Sequence, residues 1–461
     1  MAARVTSGNA QLDEILQGGF PANSLQLVMG APGSGKTILA EQLAFANGTP
    51  ERPALYLTTF SEPLDKFLLH GQSYDFFDAE RVGESVIYED LASQIRAEPD
   101  RPLSERIAEL LARHRARLLV IDSFKALVQM GAASPDELFE LASALAAWEC
   151  TTFLLGEYAP EAMTQQAEFA VADGVIALRK QSTGVRSQRY ISVEKMRGSG
   201  FAAGMHAFSI SAAGLDVFPR LVTPEKSPDY RISTERCASG ISGLDEMIEQ
   251  GLWRGSSTLL AGPTGAGKTV IGLHFLLEGV RHGEPGLYVG FQENPVQLAR
   301  TMVNFGWDPE KLAEDGQFEH LYRSPIEMEL DEVVRQVFQR IKAGRIRRVV
   351  IDSLGDLRRR SFDSDRMADY LYALNQWFAV RGITSLMLLE LPDLFEFRRL
   401  SEEEVSNMSD NVLLLRFTPG ERMTRSLRIV KTRNSGHDHL ERQLNISASG
   451  VEVNRSGKTD S

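Results

Sequence analysis

Two stretches of the sequence decide its interpretation: GAPGSGKT at Gly30–Thr37 and GPTGAGKT at Gly262–Thr269. Both fit the pattern G-x-x-x-x-G-K-[ST], and each lies between a short apolar run and a helical pattern, which is the setting that this motif requires. Glycines at such a turn allow backbone N–H groups to point inward, and the N-terminus of the following helix adds positive dipole character. The sequence therefore predicts two phosphate-binding loops.

In a loop of this kind the lysine reaches the β- and γ-phosphates of a nucleotide, and the next residue ligates Mg²⁺. We predict catalytic roles for Lys36 and Lys268 and metal-binding roles for the threonines that follow them. The residues predicted to surround the phosphates are Gly33, Ser34, Gly35, Lys36, Thr37 and Ile38 in the first loop and Gly265, Ala266, Gly267, Lys268, Thr269 and Val270 in the second. The predicted ligands are ATP and Mg²⁺.

Acidic residues recur at two positions beyond each loop. Asp122 in RLLVIDS and Asp352 in RRVVIDS end apolar strands. A carboxylate placed so, downstream of a phosphate-binding loop, holds Mg²⁺ through its water shell; the alternative is a strand cap. Glu62 and Glu293 follow the strands containing LYLTTF and LYVGF. We predict that they activate a water or a hydroxyl facing the γ-phosphate, the alternative being a solvated loop glutamate.

Basic residues recur near the end of late strands. They are Lys195, Arg197 and Arg189 in the first half of the chain and Lys431, Arg433 and Arg425 in the second. Because side chains alternate along a strand, even spacings predict that the three cations of each half share one face. Such a row could contact a nucleotide held by a neighbouring subunit, as arginine fingers do, or it could be a solvated basic strand.

The correspondence between the halves extends over the whole chain. Asp13 and Lys36 match Asp245 and Lys268 at one constant spacing, and SVEKMRGSG matches RIVKTRNSG. A repeat of this length indicates duplicated domains. We place a first domain at 1–218, a linker with three prolines at 219–232, a second domain at 233–453 and a flexible tail at 454–461.

Short apolar runs alternate with longer amphipathic patterns within each half. SLQLVMG and RLLVIDS are typical of buried parallel strands, whereas KTILAEQLAFANG and DELFELASALAAWE are typical of helices. This alternation predicts an α/β fold with a mainly parallel sheet, flanked by helices and extended by a hairpin at its edge.

Composition excludes several classes of protein. The chain has 461 residues, 43% of them apolar, which argues against disorder, and no apolar run long enough for a membrane span. Its two cysteines, Cys150 and Cys237, form neither a disulfide framework nor a zinc site. The N-terminus lacks an apolar signal core, so we expect a cytoplasmic protein. A net charge of −12 argues against non-specific binding of nucleic acid.

These motifs resemble those of the RecA/RadA superfamily and, within it, the double-domain KaiC family, over nearly the whole chain. The most specific elements are EKMRGSG followed by HAFSISAAGLDVF, and the similar second copy, which has Asn434 where the family usually has glycine. The resemblance implies two tandem RecA-like P-loop domains that assemble into a homohexamer of two stacked rings, with ATP between subunits. It also implies ATP hydrolysis, an autokinase activity and a regulatory role with a signalling protein as partner.

The resemblance further implies which residues complete the nucleotide sites. The lysine and arginine of each late strand would act in trans. The residues carried over are Lys195, Met196, Arg197 and Ser199 for the first site, and Lys431, Thr432, Arg433, Ser435 and His437 for the second, with Phe305 near the base.

The chain departs from the family at two positions. The family usually has two adjacent glutamates after the third strand, whereas here Ser61 and Gln292 replace the first of each pair. If that first glutamate is the better base, both sites hydrolyse ATP slowly. The clock members carry adjacent phosphorylated Ser and Thr, whereas here the pair is Ser406 and Asn407, which leaves one candidate phosphosite.

Two other functions stay open at this stage. A DNA-acting recombination or repair ATPase of the same superfamily is favoured by Arg358–Arg360, just after the second acidic strand, although three nearby aspartates and the overall charge favour a solvated loop. An ATP-gated interaction scaffold with little turnover would tolerate the two missing glutamates.

Overall fold

The structure, a computed structural model, describes residues 3–59, 64–183, 186–222, 233–325, 329–358, 364–391, 408–418 and 423–454. It divides into two compact units, Met1–Arg220 and Leu221–Ser461. Most of the predicted linker, residues 223–232, and all but the first residue of the predicted tail lie outside the described residues.

The first unit contains eleven strands and eight α-helices among its described residues. The strands are β1 (Arg4–Val5), β2 (Phe20–Pro21), β3 (Leu25–Gly30), β4 (Ala54–Thr58), β5 (Val86–Asp90), β6 (Leu118–Asp122), β7 (Thr151–Gly156), β8 (Gly174–Thr183), β9 (Arg186–Met196), β10 (His206–Ser211) and β11 (Gly214–Phe218). The helices are α1 (Ala10–Ile15), α2 (Lys36–Asn47), α3 (Leu64–Gly71), α4 (Leu91–Ala97), α5 (Leu103–His114), α6 (Phe124–Gln129), α7 (Pro135–Ala147) and α8 (Ala167–Val171), with 3₁₀ turns at Ala79–Arg81 and Pro160–Thr164.

The second unit repeats this order in the part that the structure describes. Its strands are β12 (Arg236–Cys237), β13 (Leu252–Trp253), β14 (Ser257–Gly262), β15 (Gly286–Gly290), β16 (Phe318–Tyr322), β17 (Arg348–Asp352), β18 (Thr384–Glu390), β19 (Asn411–Thr418), β20 (Thr424–Thr432), β21 (Arg442–Ser447) and β22 (Gly450–Val453). Its helices are α9 (Leu244–Met247), α10 (Lys268–Arg281), α11 (Pro295–Asn304), α12 (Pro309–Glu314), α13 (Leu330–Gly344), α14 (Leu354–Arg358) and α15 (Ser364–Val380).

Each unit is built on a nine-stranded sheet. The strand order is β11-β10-β9-β8-β3-β7-β6-β4-β5 in the first and β22-β21-β20-β19-β14-β18-β17-β15-β16 in the second, so the two sheets have the same topology. Six neighbouring strands of each sheet run parallel, and the remaining three add antiparallel hairpins at one edge. The predicted α/β architecture is confirmed, including the edge hairpins.

The parallel strands are buried on both faces, which explains their continuous apolar runs. On β6, for example, Leu119 and Ile121 face one apolar cluster, whereas Leu118 and Val120 face the cluster that contains α2. Burial of one such leucine or isoleucine side chain contributes about 2 kcal/mol, so helices on both faces hold the central strands firmly. The loops at the carboxyl ends of these strands are thereby fixed in space. No helix in the described part of the chain is both long and apolar enough to span a bilayer.

Candidate nucleotide-binding site

Each phosphate-binding loop leaves the central strand of its sheet and leads directly into a long helix. Gly33 and Gly35 have φ angles of +70° and +103°, and Gly265 and Gly267 have +78° and +104°. L-residues with side chains rarely adopt these angles. At Gly267 a Cβ atom would also lie 2.3 Å from Ile446 Cδ1. The glycines of the motif are therefore required by the backbone, and the N–H groups at the start of α2 and α10 are left for a ligand.

The loop lysines are held in the same way in both units. Lys36 Nζ donates to the carbonyl oxygens of Gly30 at 2.8 Å and Ala31 at 3.0 Å. Lys268 Nζ makes the two equivalent bonds, at 2.8 and 2.9 Å. Burial lowers the pKa of both lysines, opposed by nearby carboxylates. A buried ammonium bonded only to neutral carbonyls is an electrostatically favourable site for a phosphate.

A hydroxyl and a carboxylate meet beside each loop. Thr37 Oγ1 donates to Asp122 Oδ2 at 2.7 Å, and Tyr56 OH donates to the same oxygen at 3.0 Å. In the second unit, Thr269 and Tyr288 bind Asp352 Oδ2 at 2.7 and 2.6 Å. Each aspartate ends its strand and is followed by a cis peptide bond to serine.

This arrangement fits a hard divalent cation. Burial raises the pKa of Asp122, although its hydrogen bonds from Thr37 and Tyr56 and the charge of Lys36 oppose the shift. The site thus holds a carboxylate whose desolvation a cation would offset, next to a hydroxyl oxygen, and both are ligand types that Mg²⁺ prefers. Ser34 Oγ in the first loop is also fully buried and has no hydrogen-bond partner among the described residues, so it can bond a phosphate oxygen. The residues present are therefore suited to both ATP phosphates and Mg²⁺.

The predicted base of the second unit, Glu293, lies close to Asp352. Glu293 follows β15 and directly precedes Asn294, whose side chain caps α11 by accepting from the backbone N–H of Gln297 at 2.9 Å. Burial and the charge of Asp352 raise the pKa of Glu293, and its Oε2 has no hydrogen-bond partner in the part of the chain that the structure describes. A carboxylate with a raised pKa accepts a proton more readily near neutral pH.

The neighbouring Gln292 is held elsewhere. Its Nε2 donates to Asp356 Oδ2 at 2.9 Å, and Ser353 Oγ donates to the same oxygen. The amide at the family's first glutamate position is thus tied to α14. In the first unit, Ser61 and Glu62 lie outside the described residues.

The lysine and arginine of each late strand lie at the end of the sheet where the parallel strands begin. Their own loop lies at the other end, where these strands finish. Lys195 pairs with Val175, and Met196 with Gly174, which is level with Gln26 at the start of β3. The loop leaves β3 four residues later, at Gly30, about 13 Å further along the strand. These cations consequently cannot reach a nucleotide bound by their own loop.

Neutral and acidic groups of the same unit hold these cations in place. Lys195 Nζ donates to the Phe169 carbonyl at 3.1 Å, and Arg197 Nη2 donates to the Ala170 carbonyl at 3.3 Å. In the second unit, Lys431 Nζ donates to the Ser409 carbonyl at 2.8 Å, and Arg433 lies 3.9 Å from Asp410. Arg197 and Arg433 are more than half exposed, so both guanidinium groups are available to a second molecule.

The family is decided by the recurrence of this whole arrangement together with a sequence match. The family model described as ATPase: KaiC matches residues 5–222 and 237–458. The chain belongs to the KaiC ATPase family. Circadian clock oscillator protein KaiC from a Picosynechococcus species is 29% identical over 467 residues, which cover 96% of this chain and 88% of the relative. The protein of that name from Synechococcus elongatus is 27% identical to this chain. Circadian clock oscillator protein KaiC 1 from a Synechocystis species is 28% identical. Each of these two alignments covers 96% of this chain and 87% of the relative.

One prediction about the KaiC-family cations is wrong. Arg189 and Arg425 do not share a face with the lysines, because a β-bulge interrupts each late strand. The bulge inserts one residue and reverses the alternation beyond it. Ile429 pairs with Leu413 on the α10 side of the sheet, whereas Lys431 pairs with Val412 on the other side. Arg425 instead donates from Nε to the Gly265 carbonyl of its own loop, at 3.3 Å.

Other predicted nucleotide contacts have varied surroundings. The side chain of Met196 is buried in the apolar cluster next to α2, and the partly buried Ile38 packs against the same cluster. Ala266 is buried in the corresponding cluster of the second unit, next to α10. Phe305 lies 5.9 Å from the ring of His274 on α10 and 5.4 Å from that of Trp307. Thr432 Oγ1 donates to the Ser435 carbonyl at 2.8 Å and lies 2.9 Å from His437 Nδ1.

Several predicted residues cannot be placed. Ser406 and Asn407 lie outside the described residues, as do Arg359 and Arg360. Arg358 ends α14, and its side chain is also outside the described part.

The site also contains residues that sequence reasoning missed. Glu390 ends β18 next to the second loop, and its Oε1 accepts from Thr264 Oγ1 at 2.5 Å. Its charge, like that of Glu157 in the first unit, raises the pKa of the adjacent loop lysine against the effect of burial. The recurrence of a glutamate after the runs TTFLLG and SLMLL was the available signal, as was the tyrosine in the two LY motifs for Tyr56 and Tyr288.

Proposed function

We propose that the protein hydrolyses ATP at two Mg²⁺-dependent sites per chain and acts as a nucleotide-driven regulatory switch in a cytoplasmic homohexamer of two stacked rings. One observation carries the proposal. Each unit has a complete phosphate-binding loop at one end of its parallel strands, and its basic pair, Lys195–Arg197 or Lys431–Arg433, lies at the other end of these strands. A ring in which each subunit presents that pair to its neighbour's loop uses both features. We take 1–218 and 233–453 as the two functional domains.

The residues of the chain divide the chemistry among themselves. The loop lysine and the helix N-terminus bind the phosphates and position the γ-phosphate, while the threonine and aspartate hold Mg²⁺, which neutralises phosphate charge when bound. Glu62 and Glu293 accept the proton of the attacking water. The trans arginine stabilises the negative charge that develops on the transferred group. Gln292 stands at the position of the family's first glutamate, and its amide is bound to Asp356, so Glu293 alone of that pair serves as base and turnover is slow.

Slow ATP hydrolysis suits a regulatory function. The relatives that match over nearly their full length are named circadian clock oscillator proteins. We propose that this chain likewise changes its assembly or its surface with nucleotide state and that a signalling protein reads the change. Autophosphorylation at Ser406 is part of the proposal; intact-mass analysis after incubation with Mg·ATP should show one phosphoryl adduct that Ser406→Ala lacks.

The experiment combines mass and turnover. Size exclusion with light scattering, with and without Mg·ATP, is followed by phosphate release from the same fractions. The expected result is an ATP-promoted species of about six times 51.1 kDa that hydrolyses ATP slowly. Lys36→Ala and Lys268→Ala should each remove part of the turnover, and the double variant all of it. Tight ATP binding without turnover would replace the enzyme by a scaffold, and a filament stimulated by single-stranded DNA would replace it by a recombinase.

A further inference from the structure

An arginine at the start of each unit is bonded to the turn that carries the trans-acting cations. Arg4 Nη1 donates to the Gly19 carbonyl at 3.0 Å and to Ser199 Oγ at 2.8 Å. Arg236 Nη1 donates to the Gly251 carbonyl at 2.7 Å, and its Nη2 donates to Ser435 Oγ at 2.7 Å. The same bridge thus occurs twice in the chain, between residues almost two hundred positions apart.

Each bridge connects the first strand of its unit to the turn after the late strand. Each arginine lies on the short two-stranded sheet that opens its unit, β1–β2 or β12–β13. Each serine lies two residues after the exposed arginine, Arg197 or Arg433, in the turn beyond the late strand. A planar guanidinium that bonds a backbone carbonyl and a hydroxyl together fixes both position and orientation. The bridge therefore holds the turn against the unit at the point where the turn presents its cation.

The second bridge is the more elaborate one. Arg236 stacks on the Trp253 ring at 4.0 Å and lies 3.1 Å from Glu249, to which Ser435 Oγ also donates at 3.0 Å. The indole N–H of Trp253 donates to the Asn434 carbonyl at 3.1 Å. In the first unit the residue paired with the arginine is Pro21, which offers neither a stack nor a donor. The second turn is thus held from three sides.

We propose that Arg4 and Arg236 are positioning residues for ATP hydrolysis, which fix the turns at Ser199 and Ser435 so that Arg197 and Arg433 reach the neighbouring site in working geometry. This inference rests on the proposed function. In this proposal the two arginines act through the turns and not on the nucleotide itself, and the hydroxyls of Ser199 and Ser435 take part in the bridges.

The kinetic test isolates the second site. In the full chain with the first site silenced by Lys36→Ala, we expect Arg236→Gln to lower kcat about tenfold with KM for ATP unchanged within twofold. Ser435→Ala, which leaves the carbonyl bonds of Arg236 in place, should lower kcat about threefold without weakening the binding of a fluorescent ATP analogue. Arg281→Gln, which removes an exposed arginine paired with Glu278, is the matched control and should change nothing.

The decisive arm is a double-mutant cycle. If Arg236 acts through Arg433, then Arg236→Gln costs nothing further once Arg433→Ala is present. Losses that multiply, or a Ser435→Ala variant that weakens ATP binding and leaves kcat unchanged, would overturn the inference.

A second readout does not depend on turnover. The backbone N–H of Arg433 donates to the Asp410 carbonyl at 2.9 Å, and hydrogen exchange at this amide should be about tenfold faster in Arg236→Gln. A wild-type protein without turnover would refute the proposed function and leave this measurement valid. Unchanged exchange at Arg433 would refute the positioning role whatever the turnover.

Discussion

The two halves of the chain share a site and differ in the layer behind it. The bonds from lysine, threonine and tyrosine around the two loops agree within 0.4 Å. Five residues after each loop lysine, however, stand Glu41 in the first half and Leu273 in the second, both buried. The tyrosine that donates to Asp122 or Asp352 pairs with Tyr88 in the first half and with His320 in the second.

This difference changes the electrostatics of the buried layer. Burial and the charge of Asp122 raise the pKa of Glu41 to about 8, so its carboxyl is largely protonated at neutral pH. Burial, aided by the charge of Arg340, lowers the pKa of His320 to about 4, so its ring is neutral. The first half therefore carries a titratable acid behind its site where the second half carries none at the matching position. The duplicated backbone preserves the site, while the supporting layer has diverged.

The halves also differ at the start of the strand that ends in the metal-site aspartate. Arg348 is 1% exposed and bonds Glu284 at 2.7 Å and two backbone carbonyls. Leu118 occupies the same register in the first half. The second half thus depends on a buried ion pair at a place where the first half is apolar.

The largest expected effect tests what the halves have in common. Arg197→Ala and Arg433→Ala should each reduce hydrolysis at one site by about three orders of magnitude, since trans arginines stabilise the transition state. Binding of ATP to the loops should be retained, because the arginines lie at the other end of the parallel strands. Phosphate release, measured with the other site silenced, checks this; unchanged turnover would make the late strands purely structural.

The next effect breaks the second half only. Arg348→Leu leaves Glu284 with the partly exposed Arg254 alone, and loss of one partner of a buried pair costs about 3–5 kcal/mol. Urea unfolding, followed by tryptophan fluorescence, reports mainly on the second unit, because three of the four tryptophans, Trp253, Trp307 and Trp377, lie there. Added to Arg348→Leu, Glu284→Gln removes the carboxylate that has lost this partner and should recover part of the lost free energy of unfolding. A loss below about 1 kcal/mol in Arg348→Leu itself would show that the ion pair is not needed.

A third effect concerns the first half and depends on pH. The folded state keeps a proton on Glu41 up to a pKa of about 8, whereas the unfolded chain releases it near the ordinary glutamate pKa of 4.5. The stability contributed by this proton is full below the unfolded pKa and is lost as the pH rises through the folded pKa, by about 3 kcal/mol between pH 5 and pH 8.

Glu41→Leu, which copies the second half, should make the stability of the first unit less dependent on pH over this range. Urea unfolding followed by hydrogen exchange of α2 amides would measure it, with the exposed Glu51→Leu as the matched control. An unchanged pH dependence would show that Glu41 is not the group responsible.

The smallest expected effect concerns the catalytic base of the second half. Gln292→Glu places a carboxylate beside Asp356, whose charge repels it toward the nucleotide, and turnover at the second site should rise about fivefold through added base catalysis. Single-site phosphate release measures this, with Gln297→Glu on the first turn of α11 as a control for added charge. Unchanged turnover would leave Glu293 as the sole base.

Much of this molecule follows from its sequence. The parallel sheets, the loops before α2 and α10 and the positions of Asp122 and Asp352 at strand ends depend on local patterns that repeat, and the structure has them where the sequence predicts. The metal-binding role of the two aspartates stays a prediction. The faces on which Arg189 and Arg425 lie could not be derived from the sequence. A bulge adds one residue to each late strand and reverses the alternation of its side chains, and no residue pattern in the sequence marks where the bulge lies. The buried state of Glu41 and the bridge from Arg236 to Ser435 arise from contacts between distant segments, which spacing along the chain does not encode.

Subunit mixing tests the trans site most directly. Two full-length proteins are prepared with the first site silenced by Lys36→Ala; one also carries Lys268→Ala and the other Arg433→Ala, so neither hydrolyses ATP alone. In a random equimolar hexamer, about one interface in four joins an intact loop to an intact arginine from its neighbour. The account predicts recovery of about a quarter of the single-site turnover after mixing. No recovery, in hexamers shown by mass to contain both subunits, would contradict an arginine that acts across the interface.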